Sequence, residues 1–389
     1  MILAHRIQLE PNNKQSTYFA KACGVARFAY NWALAEWKKL YDSGEKVSEG
    51  LLRKQLNAIK RDEFPWMLEV TKCAPQEAIR DLGEAFNNFF AKRAKFPKFK
   101  KKGQHDSFGI SNNLFSVKDK RIRIPKLGYV RMAEELRFNG KILGAVISRT
   151  ADRWFVSIQV EMPDPEPIHN SESQAVGVDL GVKDLATLSD GTKIAGKKPH
   201  KTLLSRLRRL NKSLSRKVGA KKGQTKSQNF KKARIKLSLL HAKIANIRND
   251  ETQKLTTMLT KNYGAIGIED LNVSGMAKNH RLARAVLDMS FFEFRKQLEY
   301  KAKMTGSIVV VADRFFPSSK KCSNCGEKYG ELELSSREWD CPACGFHHDR
   351  DVNAAINLRN NAVSYTVSAC GELVGLTASM KQELNIKTT

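Results

Sequence analysis

The chain has 389 residues and a formal charge of +28, from 68 Lys and Arg against 40 Asp and Glu, with 41% hydrophobic and 8% aromatic residues. Its length predicts two or three units with a large core, and its apolar content excludes a disordered basic tail. So large a cationic excess calls for an anionic partner. Nucleic acid fits, because phosphates bind Lys and Arg with release of counterions; with no long apolar run and no clean basic amphipathic face, a membrane surface does not.

The N-terminus MILAHRIQLEPNN alternates like a strand, is stopped by Pro11, and lacks the apolar stretch of a signal peptide. Four of the seven cysteines cluster and the others are scattered (Cys23, Cys73, Cys370), which is not a secreted disulfide framework. The scattered three read as packed thiols, and the protein is expected in the bacterial cytosol or at the nucleoid.

From Lys14 to about Phe90 apolar residues recur at helical spacing, interrupted at Pro65. This small helical block ends in AKRAKFPKFKKKG, where Phe96 and Phe99 interleave a basic run. The run reads either as a solvated loop or as a nucleic-acid contact whose rings stack on bases. Strand patterns return in RIRIPKLGYVRM and in KILGAVISRT and RWFVSIQVEM, the last two joined by a turn at Ala151–Arg153. An acidic, proline-containing linker follows at 163–173.

AVGVDLGVKDLATLSDG predicts two short strands around a turn. The next segment, Gly191 to Asn249, holds no Asp or Glu. Leu203–Leu214 and Ile235–Ile247 mark two helices within it, a basic hairpin suited to gripping a nucleic-acid backbone, with VGAKKGQTKSQ as its loop. YGAIGIEDL and SIVVVAD read as buried strands. Between them VLDMSFFEFRKQLEYKAKMTG reads as one amphipathic helix closed by Gly306, and VNAAINLRNNAV is a final helix. From about Val367 the periodicity is weak, and disorder is expected.

Cys322-x2-Cys325 and Cys341-x2-Cys344 have the spacing of a four-cysteine zinc ribbon, each pair followed by a glycine, Gly326 or Gly345. Four thiolates fill a tetrahedron, so His347 and His348 are left out of the ligand set. The closed site is structural, folding an insertion too small to fold alone. Three acids stand elsewhere in costly positions: Asp179 and Glu269 in apolar strand patterns, and Asp351 at the start of a helix. Singly, Asp351 reads equally as an N-cap, Asp179 as a turn initiator and Glu269 as a strand end. Jointly, in so basic a chain, they read as a hard oxygen site for Mg²⁺ or Mn²⁺, the chemistry of phosphodiester hydrolysis.

In this order GVDLGVKD, GIEDL, PSSKKCSNCG with CPACG, and HDRDVNAAIN resemble the nuclease motifs and zinc insertion of the TnpB family, transposon-encoded RNA-guided nucleases related to type V CRISPR effectors. PKLGYVRM resembles that family's N-terminal β-barrel. The resemblance implies a multidomain α/β protein. A β-barrel wedge domain (1–12 and 105–168) would be split by a helical recognition domain (13–104). A RuvC nuclease domain of RNase H-like fold (174–316 and 347–366) would carry the basic hairpin (197–260) and a zinc ribbon insertion (317–346), ahead of the tail (367–389). Asp179, Glu269 and Asp351 would hold two Mg²⁺ ions; a monomeric protein would use a guide RNA from the transposon end and cut double-stranded DNA beside a short flanking motif. Lys72 and Gln76 in TKCAPQEA match positions that contact that motif. Two alternatives stay open: a catalytically silent RNA-guided DNA-binding regulator, and a DNA transposase or accessory transposition protein.

Overall fold

The computed structural model describes residues 1–166, 168, 174–217, 226–330, 332–333 and 336–366. The expected tail with Cys370, most of the hairpin loop and part of the 163–173 linker lie outside the described residues. The chain divides into two compact units, Met1–Asp164 and Pro165–Thr389.

In the first unit β1 (Ile2–Glu10) leads into α1 (Asn13–Asp42), α2 (Glu49–Ile59) and α3 (Cys73–Phe90), with a 3₁₀ turn at Pro65–Glu69 where the helical series breaks. The start of α1 is fixed by a capping box: Asn12 accepts from the Gln15 amide, and the Gln15 side chain accepts from the Asn12 amide. Strands β2 (Ser107–Ser111), β3 (Ser116–Lys118), β4 (Arg121–Ile124), β5 (Gly128–Met132), β6 (Lys141–Thr150) and β7 (Arg153–Glu161) follow. Alternate residues, such as Trp154, Val156, Ile158 and Val160 on β7, point into a core shared with α1 and α3. Phe19 of α1 sits 5.1 Å from Trp154 and 6.1 Å from Phe108.

The expected barrel is not closed. The seven strands form one antiparallel sheet in the order β2-β6-β7-β1-β5-β4-β3, so β2 and β3 are edges. They are separated by a 3₁₀ turn at Asn112–Leu114, and β3 is only three residues long. The open edge is covered by α3, so close that a Cβ at Gly109 of β2 would meet the Glu77 side chain at 2.9 Å. In the basic run, Phe96 packs edge-on against Phe86 and Phe89, and the Lys38 ammonium lies over both Phe96 and Phe99. The two rings are thus partly engaged within the protein, yet stay 42% and 49% exposed.

The second unit is built on a five-stranded sheet of order β10-β9-β8-β11-β12, from β8 (Ala175–Asp179), β9 (Ala186–Leu188), β10 (Lys193–Ile194), β11 (Ala265–Glu269) and β12 (Ile308–Ala312). Strands β8, β11 and β12 are parallel; β9 pairs antiparallel with β8, and β10 antiparallel with β9. Between β10 and β11 come α4 (Pro199–Thr202), α5 (Leu204–Ser215) and α6 (Gln228–Asn262); α6 is far longer than its sequence pattern suggests. Its first half pairs with α5 through Leu207, Leu240 and Ile244, while Leu255 and Leu259 enter the core under the sheet. The buried Asp288 carboxylate ties the hairpin's root, accepting the His200 and Lys201 amides at 3.1 Å and Arg248 Nε at 2.9 Å.

After α7 (Val273–Met276) the expected single helix is two: α8 (Ala283–Met289) and α9 (Phe291–Thr305), split by Ser290 in the left-handed conformation (φ 57°). Gly306 closes α9 as expected, at φ 76°. The hairpin of β13 (Glu338–Asp340) and β14 (His347–Asp349) precedes the last helix, α10 (350–366). No helix among the described residues is long and apolar enough to cross a membrane.

Candidate active site and metal knuckle

Parallel strands β8 and β11 lie side by side with Gly177 opposite Gly267. On each strand the odd-numbered residues face one side, so Gly177 and Asp179 share a face, as do Gly267 and Glu269, while Val176, Val178, Ile266 and Ile268 face the core beneath α6 and α9. Helix α10 lies on the glycine face. A Cβ on Gly177 would overlap the Ala355 carbonyl oxygen, and one on Gly267 the Leu358 carbonyl oxygen. Only glycines allow so close an approach, which carries the start of α10, and with it Asp351, to the strand ends that bear Asp179 and Glu269.

Asp179 lies within electrostatic reach of the other two carboxylates. Burial, followed by the charges of Glu269 and Asp351, pushes the Asp179 carboxyl well above the usual carboxylate range, against the opposing pull of Arg350 and Arg337. Glu269 Oε1 accepts a hydrogen bond from the Ser318 hydroxyl, and Asp351 faces the Arg337 guanidinium at 3.3 Å. Half-buried carboxylate oxygens of this kind are hard donors, suited to a divalent cation. A cleft of about 380 Å³ opens beside Glu269, lined among others by Leu180, Asn272, Phe292, Arg295 and Arg314.

The acidic knot Asp349-Arg350-Asp351 divides its work. Asp349, not Asp351, is the N-cap of α10: its Oδ1 accepts the amides of Asp351 at 3.1 Å and Val352 at 3.0 Å, and its Oδ2 pairs with Lys193 at 2.5 Å. Burial raises the proton affinity of Asp349, but Lys193 and the two amides outweigh it and hold the carboxyl below its ordinary range. Arg350 reaches the backbone carbonyls of Glu333 and Ser336. The Asp351 carboxylate takes no part in the cap and pairs with Arg337.

The Sγ atoms of Cys322, Cys325, Cys341 and Cys344 all lie within 4.8 Å of one another, which fits a single tetrahedral ion. The two knuckles share one wiring. Gly326 N donates to Cys322 O and Gly345 N to Cys341 O, with both glycines at positive φ (84° and 71°). The Phe346 amide and then the Asn324 side chain lower the Cys344 thiol to about 6. Behind the cluster, His348 Nε2 lies 3.0 Å from Cys322 Sγ, and its ring packs against Trp339, tilted by 32° at 4.7 Å. Cys23 and Cys73, by contrast, are buried singly, and burial raises the Cys23 thiol to about 12.

Lys72 and Gln76 stand one turn apart at the start of α3, Lys72 exposed and Gln76 half-buried. Lys72 belongs to a basic patch: burial, then Arg61 and Lys72, lower the Lys60 ammonium. Sequence patterns did not single out Ser318, Arg337 or Lys193. A signal was available for the helix behind Ser318, where Asn353 and Asn357 form a polar stripe one turn apart among alanines and aliphatics.

Comparison with known proteins places the chain among relatives. Family models described as "Probable transposase", "Cas12f1-like, TNB domain" and "Helix-turn-helix domain" match residues 157–280, 291–358 and 1–46. The last segment is here a strand followed by one uninterrupted helix. "Putative RNA-guided DNA endonuclease InsQ" of Escherichia coli K12 is 35% identical over 98% of this chain and 96% of its own length. A Streptomyces pristinaespiralis protein named "Putative RNA-guided DNA endonuclease" is 37% identical over 95% and 91%. Three mimivirus relatives named TnpB-like proteins are 26% identical over 49% of the chain. Among solved structures, the chain shares its fold with the protein of a Cas12f1–sgRNA–target DNA complex, with a TM-score of 0.56 at 14% identity, covering 90% of this chain and 83% of that one.

Proposed function

Because the chain belongs to the TnpB family, we propose that it is an RNA-guided DNA endonuclease of transposon origin that hydrolyses phosphodiesters at Asp179, Glu269 and Asp351. The observation that supports the site is the meeting of two adjacent parallel strand ends with the start of α10, near enough for the charges of Glu269 and Asp351 to act on Asp179. The sheet order, with its antiparallel β9–β10 edge, supports an RNase H-like, RuvC-type reading of 174–316 and 347–366.

Two Mg²⁺ ions, or Mn²⁺, held by these acids would supply an activated water and charge neutralisation at the leaving 3′ oxygen. The protein's own groups do the rest. Ser318 orients Glu269, and Arg337 and Arg350 oppose the rise in proton affinity that burial, Glu269 and Asp351 impose on Asp179. Zn²⁺ on Cys322, Cys325, Cys341 and Cys344 would close a structural site with no open position.

A guide RNA from the transposon end would pair with one strand of the target, and one cleft would cut both strands in turn. The basic hairpin (197–260) would hold backbone phosphates. Lys72 and Gln76 on the first unit would read the flanking motif in duplex DNA. On this reading residues 13–104 are the recognition element and 1–12 with 105–168 the wedge, and the protein works as a monomer within the ribonucleoprotein, in the bacterial cytosol.

Incubating the purified ribonucleoprotein with target DNA and Mg²⁺ tests this. Cleavage abolished by Asp179→Ala, with guide and target binding retained, is expected. Tight binding without cleavage would make the protein a regulator. The description of the family model over residues 157–280 favours a second reading, transposition, which predicts strand joining that persists without RNA.

A further inference from the structure

Buried polar groups that belong to neither ligand set join the zinc knuckle to the carboxylate cleft. Asn353 and Asn357 stand one turn apart on α10, 1% and 4% exposed. The Asn357 amide donates to Ser318 O at 2.8 Å and to Lys321 O at 2.7 Å. The Asn353 amide donates to Lys321 O at 2.8 Å and to Ser318 O at 3.4 Å. Asn353 Oδ1 accepts the Ser323 amide at 2.9 Å. Lys321 and Ser323 flank Cys322 of the cysteine cluster, so these two side chains fix the first knuckle to the helix whose first turn carries Asp351. Ser318, itself 4% exposed, completes the link by donating its hydroxyl to Glu269 Oε1.

Burying two primary amides and a hydroxyl is costly unless each finds a partner, and an aliphatic face on α10 would satisfy packing alone. The pattern has a chemical use at Glu269, whose side chain turns about three bonds. A neutral donor on one oxygen holds the carboxylate in one orientation and leaves its negative charge intact, whereas Lys or Arg in that place would compete with a cation. We propose that Ser318 is a positioning residue for Glu269, held in register with the knuckle by Asn353 and Asn357. The folded zinc site thereby sets the aim of a carboxylate in the cleft. This rests on the reading of Glu269 as a cation ligand.

The test measures Mn²⁺ binding to the full chain by electron paramagnetic resonance, with the Asp179→Ala protein as blank, beside the Mg²⁺ dependence of target cleavage by the ribonucleoprotein. Ser318→Ala is expected to weaken Mn²⁺ binding and raise the half-maximal Mg²⁺ concentration about tenfold or more, the usual cost of losing an outer partner of a metal ligand. Zinc content and guide-RNA binding should stay at wild-type levels. Ser318→Thr, which keeps the hydroxyl, should recover both metal readouts, and it decides the matter if the alanine protein loses zinc. Wild-type metal dependence in Ser318→Ala, or no recovery in Ser318→Thr, overturns the proposal while leaving the nuclease reading intact. A wild-type protein that neither binds Mn²⁺ above the blank nor cuts overturns both.

Discussion

Asp349 caps the helix that Arg350 begins: its carboxylate accepts the amides of Asp351 and Val352, while the carboxylate two residues on pairs with Arg337 and adds its charge to the field at Asp179. This separation of roles predicts different outcomes for two neighbouring substitutions. Asp349→Asn keeps a capping oxygen and should retain most stability, whereas Asp349→Ala should cost about 1 kcal/mol by urea unfolding. Both should cut target DNA measurably, while Asp351→Ala should not. Equal loss of cleavage in Asp349→Asn and Asp351→Ala would contradict the division.

The paired glycines predict a sharper response. A methyl at Gly177 or Gly267 meets backbone atoms of α10, which cannot rotate away. Gly267→Ala should destabilise the second unit by about 2 kcal/mol or more, as overpacked cores do. Because relief requires α10 to move off the sheet, cleavage should fall further than stability alone explains. Assays at a temperature where the variant remains folded separate the two effects.

Removal of zinc should also reach the cleft. Cys341→Ser, or prolonged chelation, is expected to release zinc, unfold the knuckle and abolish cleavage, while the first unit keeps its own melting transition. Metal analysis with calorimetry reads each part. Wild-type cleavage from a zinc-free protein would uncouple the sites.

Lys301 gives a pH dependence. Its ammonium is buried between α9 and α6, donating to Gln253 O, Thr256 Oγ1 and Thr257 Oγ1, each at 2.8 Å, and burial lowers it to about 8 from 10.5. Below pH 8 both folded and unfolded chains carry the proton and the burial penalty is present in full. Between 8 and 10.5 the folded chain sheds the proton first, so stability rises with pH, and above 10.5 the penalty is gone. With three acceptors offsetting part of the desolvation, the rise should be about 2 kcal/mol. Lys301→Met should flatten this slope in urea unfolding at pH 7.5 and 9.5; parallel curves for the two proteins would exclude it.

What the sequence disclosed follows from the reach of each signal. Asp179 and Glu269 stood out because an acid in an apolar strand violates a local pattern, and the cysteines because their spacing is itself the chemistry. Strand and helix periodicity located most elements, including the basic hairpin. The closure of a sheet, in contrast, depends on pairing between distant edges, so β2 and β3 gave no warning that they do not meet. Ser290 looked like any serine inside a helical period; only its left-handed backbone splits α8 from α9. Ser318 and Glu269 are joined by a contact between residues far apart in the chain, which no periodicity encodes. Asp349 and Asp351 were both visible, but the choice between cap and cleft lies in the direction in which α10 leaves β14.

Helix α6 carries a geometric consequence. Its 35 residues form one rod, about 50 Å long at 1.5 Å per residue, with one end in the basic hairpin and the other beneath the sheet. The rod has no joint, and Arg248 is moored to Asp288 near its middle. The cationic arm therefore inherits its bearing from the core. A polyanion lying along it would enter the second unit at an angle fixed before it arrives, with the arm acting as a rigid rail.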